Sequence, residues 1–143
     1  MRTVKILLIS LLFSFSLAVG AEDLSFLCIA EGASGFRFEN GSWHSVAFDV
    51  SEAKYILKKV KESEFGFEDK ENPYGLYDFG ESSTITRCSQ SESGDFMCLV
   101  GTGDFFFSPS SGRFIKTYTL GYWDGVDSND NTPHIERGRC SKI

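Results

Sequence analysis

Histidine is scarce. The only two in 143 residues are His44 and His134. A serine or cysteine nucleophile would have to take its base from that pair, and no Gly-x-Ser-x-Gly turn is there to present a serine. Cys-x-x-Cys pairs are also missing, so Cys28, Cys88, Cys98 and Cys140 fit no common zinc module. Positive charge is short, with 14 Lys and Arg against 20 Asp and Glu and a net charge of −6. That balance opposes phosphate backbones and anionic lipid surfaces, and so argues against nucleic-acid binding. No internal repeat is present, and the length is that of one domain, which excludes a multidomain enzyme.

The one long apolar run, Ile6 to Leu17, is shorter than the ~20 residues of a membrane span. Arg2 and Lys5 precede it, and Ala18, Val19, Gly20 and Ala21 follow. A charged start, a short apolar stretch and a small-residue exit read as a secretory signal peptide over residues 1–21. The expected mature domain is 22–143, with no membrane span after processing. It is two charges more acidic than the full chain, because Arg2 and Lys5 are lost. A domain of this size buries roughly two thirds of its unfolded surface.

All four cysteines fall in the mature part. An even count behind a signal peptide implies disulfides in an oxidising compartment, here the periplasm or the medium. Three connectivities are possible. The preferred pair is Cys88–Cys98, closing a hairpin over the polar stretch 89–95, with Cys28–Cys140 tying the domain ends together. In the chain-entropy view each adds roughly 3–5 kcal/mol, the longer loop more.

Beyond residue 21, aromatic residues outnumber leucine, isoleucine and valine combined. Aromatics suit half-buried pleated surfaces, and turn residues punctuate the chain at short intervals. Both features predict an all-β, single-domain antiparallel β-sandwich or small β-barrel. Strands are expected at 24–31, 83–88, 96–100, 104–108, 113–123 and 134–140, and in a hairpin over 36–50. A three-residue loop, Glu39-Asn40-Gly41, would keep Phe36, Phe38, Val46, Phe48 and Val50 on one inner face and set Trp43 outside, across from Arg37. His44 would share the inner face. On 113–123, Phe114, Tyr118, Leu120 and Tyr122 alternate on one face, and Lys116 opens that face to solvent. Residues 51–62 suit either a short helix capped by Ser51 or a strand. Residues 62–82 read as a long acidic loop with a short strand near Tyr77.

The pattern of Cys28, Gly35-Phe36, Trp43, Phe48 and Lys54-Tyr55-Ile56 continues through Cys88, Gly112-Arg113-Phe114 and Gly121-Tyr122. It ends with Thr132-Pro133, Ile135-Glu136, Gly138 and Cys140. It resembles small uncharacterised secreted (periplasmic) proteins of proteobacteria. The resemblance implies a disulfide-bonded β domain and favours a strand at 54–60. It implies no activity and carries over no functional residue.

Candidate chemistry is sparse, and no catalytic residue is singled out. Carboxylates near apolar strands, Asp104, Asp124 and Glu136, could form an acid/base pair of the glycosidase type. The loop 124–133 collects Asp124, Asp127, Asn129 and Asp130, hard oxygens of the kind calcium takes, although it does not match the EF-hand pattern. Asn40-Gly41-Ser42 matches a glycosylation acceptor but also reads as the hairpin turn. Arg37, Trp43 and Trp123 are the candidate binding residues, since tryptophan and arginine anchor protein interfaces. The sequence therefore reads as an acidic, exported, non-catalytic binding or inhibitory module. Its expected partner is a protein, most concretely a cationic envelope or extracellular enzyme such as a lysozyme-like hydrolase. A small hydrolase using paired carboxylates and a structural envelope or assembly component are the alternatives.

Overall fold

The computed structural model describes residues 24–61 and 70–143, so residues 1–23, where a signal peptide is expected, and the stretch 62–69 lie outside the described residues. Nine strands follow in order: β1 (Ser25–Glu39), β2 (Ser42–Phe48), β3 (Lys54–Lys59), β4 (Tyr74–Asp78), β5 (Thr84–Gln90), β6 (Phe96–Val100), β7 (Gly103–Ser108), β8 (Arg113–Tyr118) and β9 (His134–Lys142). All pairings are antiparallel. The sheet closes because β9 pairs both with β8 and with β1, giving an eight-stranded barrel plus one extra strand, β2. Closure removes the exposed sheet edges that an open sandwich would leave.

β1 is longer than expected and does two jobs. Residues Ser25–Ile29 pair with β3 on one edge, and Phe26–Gly35 pair with β9 on the other. The second half of β1 runs on and pairs with β2 from Ala33↔Phe48 to Glu39↔Ser42. A register shift between Ala30 and Gly32 lets the strand bend at the transition. Over the described residues 51–61 there is no helix. Residues 54–59 form β3, since Tyr55 and Leu57 are needed on the inner face. β8 stops at Tyr118 instead of running to residue 123.

The hairpin register differs from the expected one. Phe38 pairs with Trp43 and Arg37 with His44, so the turn holds two residues, Asn40 and Gly41. Both have positive φ, 52° and 79°, which this tight turn demands and which Asn-Gly supplies. The apolar pattern is indeed split. Val46 and Phe48 share the face of Ala33, whereas Phe36, Phe38 and Trp43 take the other. The split is tolerated because this hairpin is paired beyond the barrel rim, where neither face is a sealed core; Phe36 is 47% exposed.

The barrel interior is aromatic, as composition suggested. Phe26, Phe96 and Phe107 fill one end, with Phe26–Phe107 centroids 4.9 Å apart and Phe96–Phe107 stacked at 5.9 Å. Phe105 stacks on Phe114 at 5.1 Å, and Tyr55 meets both edge-on. Such pairs contribute about 0.5–1.5 kcal/mol each beyond area burial. Both expected disulfides are present. Cys28–Cys140 crosses the β1–β9 seam and Cys88–Cys98 crosses β5–β6, each joining directly opposed residues. Two disulfides are consistent with an oxidising extracellular or periplasmic location.

Candidate functional site

Two features stand out at the hairpin end of the barrel: a charged network inside, and an aromatic groove outside.

Inside, strand alternation points Lys116 of β8, Glu136 of β9 and Tyr55 of β3 to the interior. Glu136 is buried, at 6% exposure, and accepts three hydrogen bonds. The Tyr55 hydroxyl donates at 2.6 Å, the Lys116 ammonium at 3.0 Å and His134 Nε2 at 3.1 Å. Burial opposes the ionised carboxylate, but the bonds from His134 and Tyr55 and the Lys116 charge outweigh it and hold the pKa at about 2. Burial and the bond to Glu136 push the Tyr55 phenol well above its ordinary value. The hydrogen bond to Glu136 raises His134 against opposition from burial. Geometry agrees: Nδ1 of His134 lies 2.7 Å from the Thr132 carbonyl, so both ring nitrogens face acceptors and the imidazolium satisfies both.

This network is electrostatically complete. Among the described residues no buried side-chain nitrogen or oxygen lacks a partner. A carboxylate held near 2 is a poor match for general acid or base work at neutral pH, where the useful pKa lies near the operating pH. Asp104, on β7 opposite Leu99 of β6, lines a pocket of about 230 Å³ that Lys116 also lines, and Asp124 sits exposed in the 119–133 loop.

The network sets a pH window. His134 has a folded pKa above its ordinary 6.5, so its contribution is complete below pH 6.5 and is lost as pH rises through the folded value. Glu136 has a folded pKa below its ordinary 4.5, so its contribution is complete above 4.5 and is lost as pH falls towards 2. Melting temperature measured against pH should therefore peak between 4.5 and 6.5 as far as these groups decide it. His134→Gln should flatten the alkaline limb and leave the acid limb in place; an unchanged alkaline limb would contradict the assignment.

Outside, the 119–133 loop folds against the β1–β2 hairpin. Gly121, at φ 113°, packs its α-carbon against the Asn131 carbonyl, a turn that a side chain would block. Asn129 mimics a strand edge: it accepts from Phe38 N–H at 2.8 Å and donates to Phe38 O at 2.7 Å. Trp43 Nε1 donates to Asp127 Oδ1 at 2.7 Å, and the Trp43 ring lies 5.5 Å from Phe38 and 5.8 Å from Tyr122. Tyr118 donates to Asn131, and Phe36 N–H to the Pro133 carbonyl. Between this pinned loop and strands β1, β8 and β9 lies an open groove of about 410 Å³, whose apolar wall includes Phe36, Tyr122, Trp123, Pro133 and Ile135. Trp123 is 70% exposed and Tyr122 is 65% exposed.

The sequence-selected residues thus separate. Trp123 is at the groove. Trp43 is half-buried and anchors the loop instead, opposite Phe38. Arg37 lies on the other face, 3.7 Å from Glu39 and over the Phe48 ring. Asp127 and Asn129 accept bonds from the hairpin, Asp124 from Val126 N–H and Asp130 from Ser128. Among the described residues no group of three or more His, Cys, Asp or Glu is placed to hold a metal ion. Tyr122, Phe36 and Ile135 were not selected from sequence, because alternation assigned Phe36 and Tyr122 to inner faces. Comparison with protein-family profiles, curated proteins and solved structures returned no match.

Proposed function

We propose that this chain is an exported, non-catalytic binding module that captures a basic protein at the 119–133 loop. The observation that carries this reading is the pair of exposed rings, Tyr122 and Trp123, on a loop already pinned by Asn129, Asp127 and Asn131. Exposed large aromatics on a preorganised frame are what interface anchors require, because little ordering entropy remains to oppose docking.

Charge supports the sign of the partner. Asp124, Asp127 and Asp130 are exposed beside the rings, and the whole chain carries −6. A lysine or arginine on the partner could lie over the Tyr122 or Trp123 face with a carboxylate alongside. A cationic envelope or extracellular enzyme, such as a lysozyme-like hydrolase, has that chemistry, and an inhibitory role would follow if the groove covered its active site.

The test uses the oxidised chain, immobilised, against cell-envelope extract and medium. Basic proteins should be retained at physiological salt and released at high salt. Tyr122→Ala with Trp123→Ala should weaken retention by roughly 100-fold or more, the sum of two anchor residues. Retention that ignores the double substitution would remove the groove from the mechanism.

A further inference from the structure

The other end of the β8–β9 ladder carries a feature that neither the barrel's stability nor the groove uses. Three of the chain's six arginines, Arg113, Arg137 and Arg139, lie on the outer face there. Arg113 is directly opposite Arg139 in the β8–β9 register, and Arg137 is two residues along the same strand face. Directly opposed side chains sit ~5 Å apart at Cβ, and like charges at that spacing destabilise the sheet. Asp95 shares a neighbouring pocket with Arg113, but among the described residues only one carboxylate forms ion pairs with these arginines.

That one is Glu31. Its Oε2 lies 3.4 Å from Arg137 Nη1 and its Oε1 lies 3.3 Å from Arg139 Nε. Each oxygen therefore holds one guanidinium, and Arg113 has no ion-pair partner among the described residues. Together with Phe114 and Gly138 these four side chains enclose a pocket of about 220 Å³. Three guanidiniums and one carboxylate leave two positive charges around it. The heads remain accessible, Arg137 at 69% and Arg139 at 61% side-chain exposure.

We propose that Arg113, Arg137 and Arg139 form a binding site for a phosphate-type oxyanion. A phosphate monoester carries about −1.5 to −2 at pH 7, which matches the local excess. Planar guanidinium forks bind such an oxyanion bidentately, which a lysine ammonium does not. Glu31 serves as a positioning residue, orienting Arg137 and Arg139 while leaving their outer N–H groups available. The acidity of the whole chain does not forbid the site, because exposed charges more than about 8 Å away are largely screened at physiological salt. The phosphate could belong to a soluble ester or to a lipid headgroup.

The test has two arms, both on the oxidised chain. Pyrophosphate is titrated by calorimetry, with sodium chloride of matched ionic strength as the control. Vesicles of phosphatidylcholine, with and without phosphatidic acid, are co-sedimented with the protein. Saturable binding in the pyrophosphate arm assigns a soluble ligand, and binding confined to phosphatidic acid vesicles assigns a headgroup; either upholds the site. Arg113→Ala with Arg139→Ala should abolish it. Arg113→Lys keeps the charge and should weaken it by about tenfold, through loss of the fork. Arg113→Ala should also raise the melting temperature at low salt, by relieving the opposed pair, which a merely structural arginine would not do. No binding in either arm, or binding that the double alanine variant retains, would overturn the proposal.

Discussion

Glu136→Ala should make this protein markedly easier to unfold. The substitution removes the acceptor that Tyr55, Lys116 and His134 share, and it leaves the Tyr55 hydroxyl buried with no partner. Breaking a buried ionic network by removing one member costs about 3–5 kcal/mol. Lys116 and His134 keep about one fifth of their side chains exposed, 20% and 21%, so water recovers part of that. A loss of about 2–4 kcal/mol is the expected result of chemical denaturation. Glu136→Gln preserves the shape and one acceptor and should cost less than half as much. If alanine and glutamine were equally mild, the network would not be holding this end of the barrel together.

The second large effect separates the two disulfides. Cys28–Cys140 spans 112 residues and Cys88–Cys98 spans 10. In the chain-entropy model the long closure contributes about 5 kcal/mol and the short one about 3 kcal/mol. Position reinforces the order, because Cys28–Cys140 lies on the β1–β9 seam where the first and last strands zip the barrel shut. Cys88–Cys98 staples two strands that a short turn already joins. Paired replacement by alanine should therefore lower the melting temperature on the order of 15 °C for the first pair and roughly half that for the second. Equal losses, or the reverse order, would show that the seam does not depend on its covalent tie.

The β class, both disulfides and most strands were legible in the sequence, because alternation, turn residues and an even cysteine count are local signals. Barrel closure was not, since nothing local says that β9 returns to β1. The hairpin register departs from the expected one for a physical reason. Keeping Phe36 and Phe38 on the inner face assumes that both faces of a strand pair have different solvents along the whole length. Here the tip of the β1–β2 hairpin, from Phe36 on, runs past the pairing with β9, and the 119–133 loop gives Trp43, itself against Phe38, an apolar neighbour in Tyr122 on the other side. The Asn40-Gly41 dipeptide carries the correct signal, that of a two-residue turn. In the sequence Lys116 breaks an apolar face, and that break marks the charged network; its partner Glu136 stands apart on another strand, and only closure of the barrel brings Tyr55 to them. Of the two tryptophans, nothing in composition distinguishes the anchor from the exposed ring. The distinction comes from Asp127, 84 residues away in sequence, accepting the Trp43 indole hydrogen.

The central claim, capture of a basic protein by the 119–133 loop, is tested most directly by amide hydrogen exchange on the oxidised chain, free and saturated with a retained basic protein. Protection should appear in residues 119–126 and at Phe36 and Ile135, with the barrel strands β4 to β6 unchanged. Protection centred on β4 to β6, with the 119–133 loop exchanging as fast as in the free chain, would contradict it.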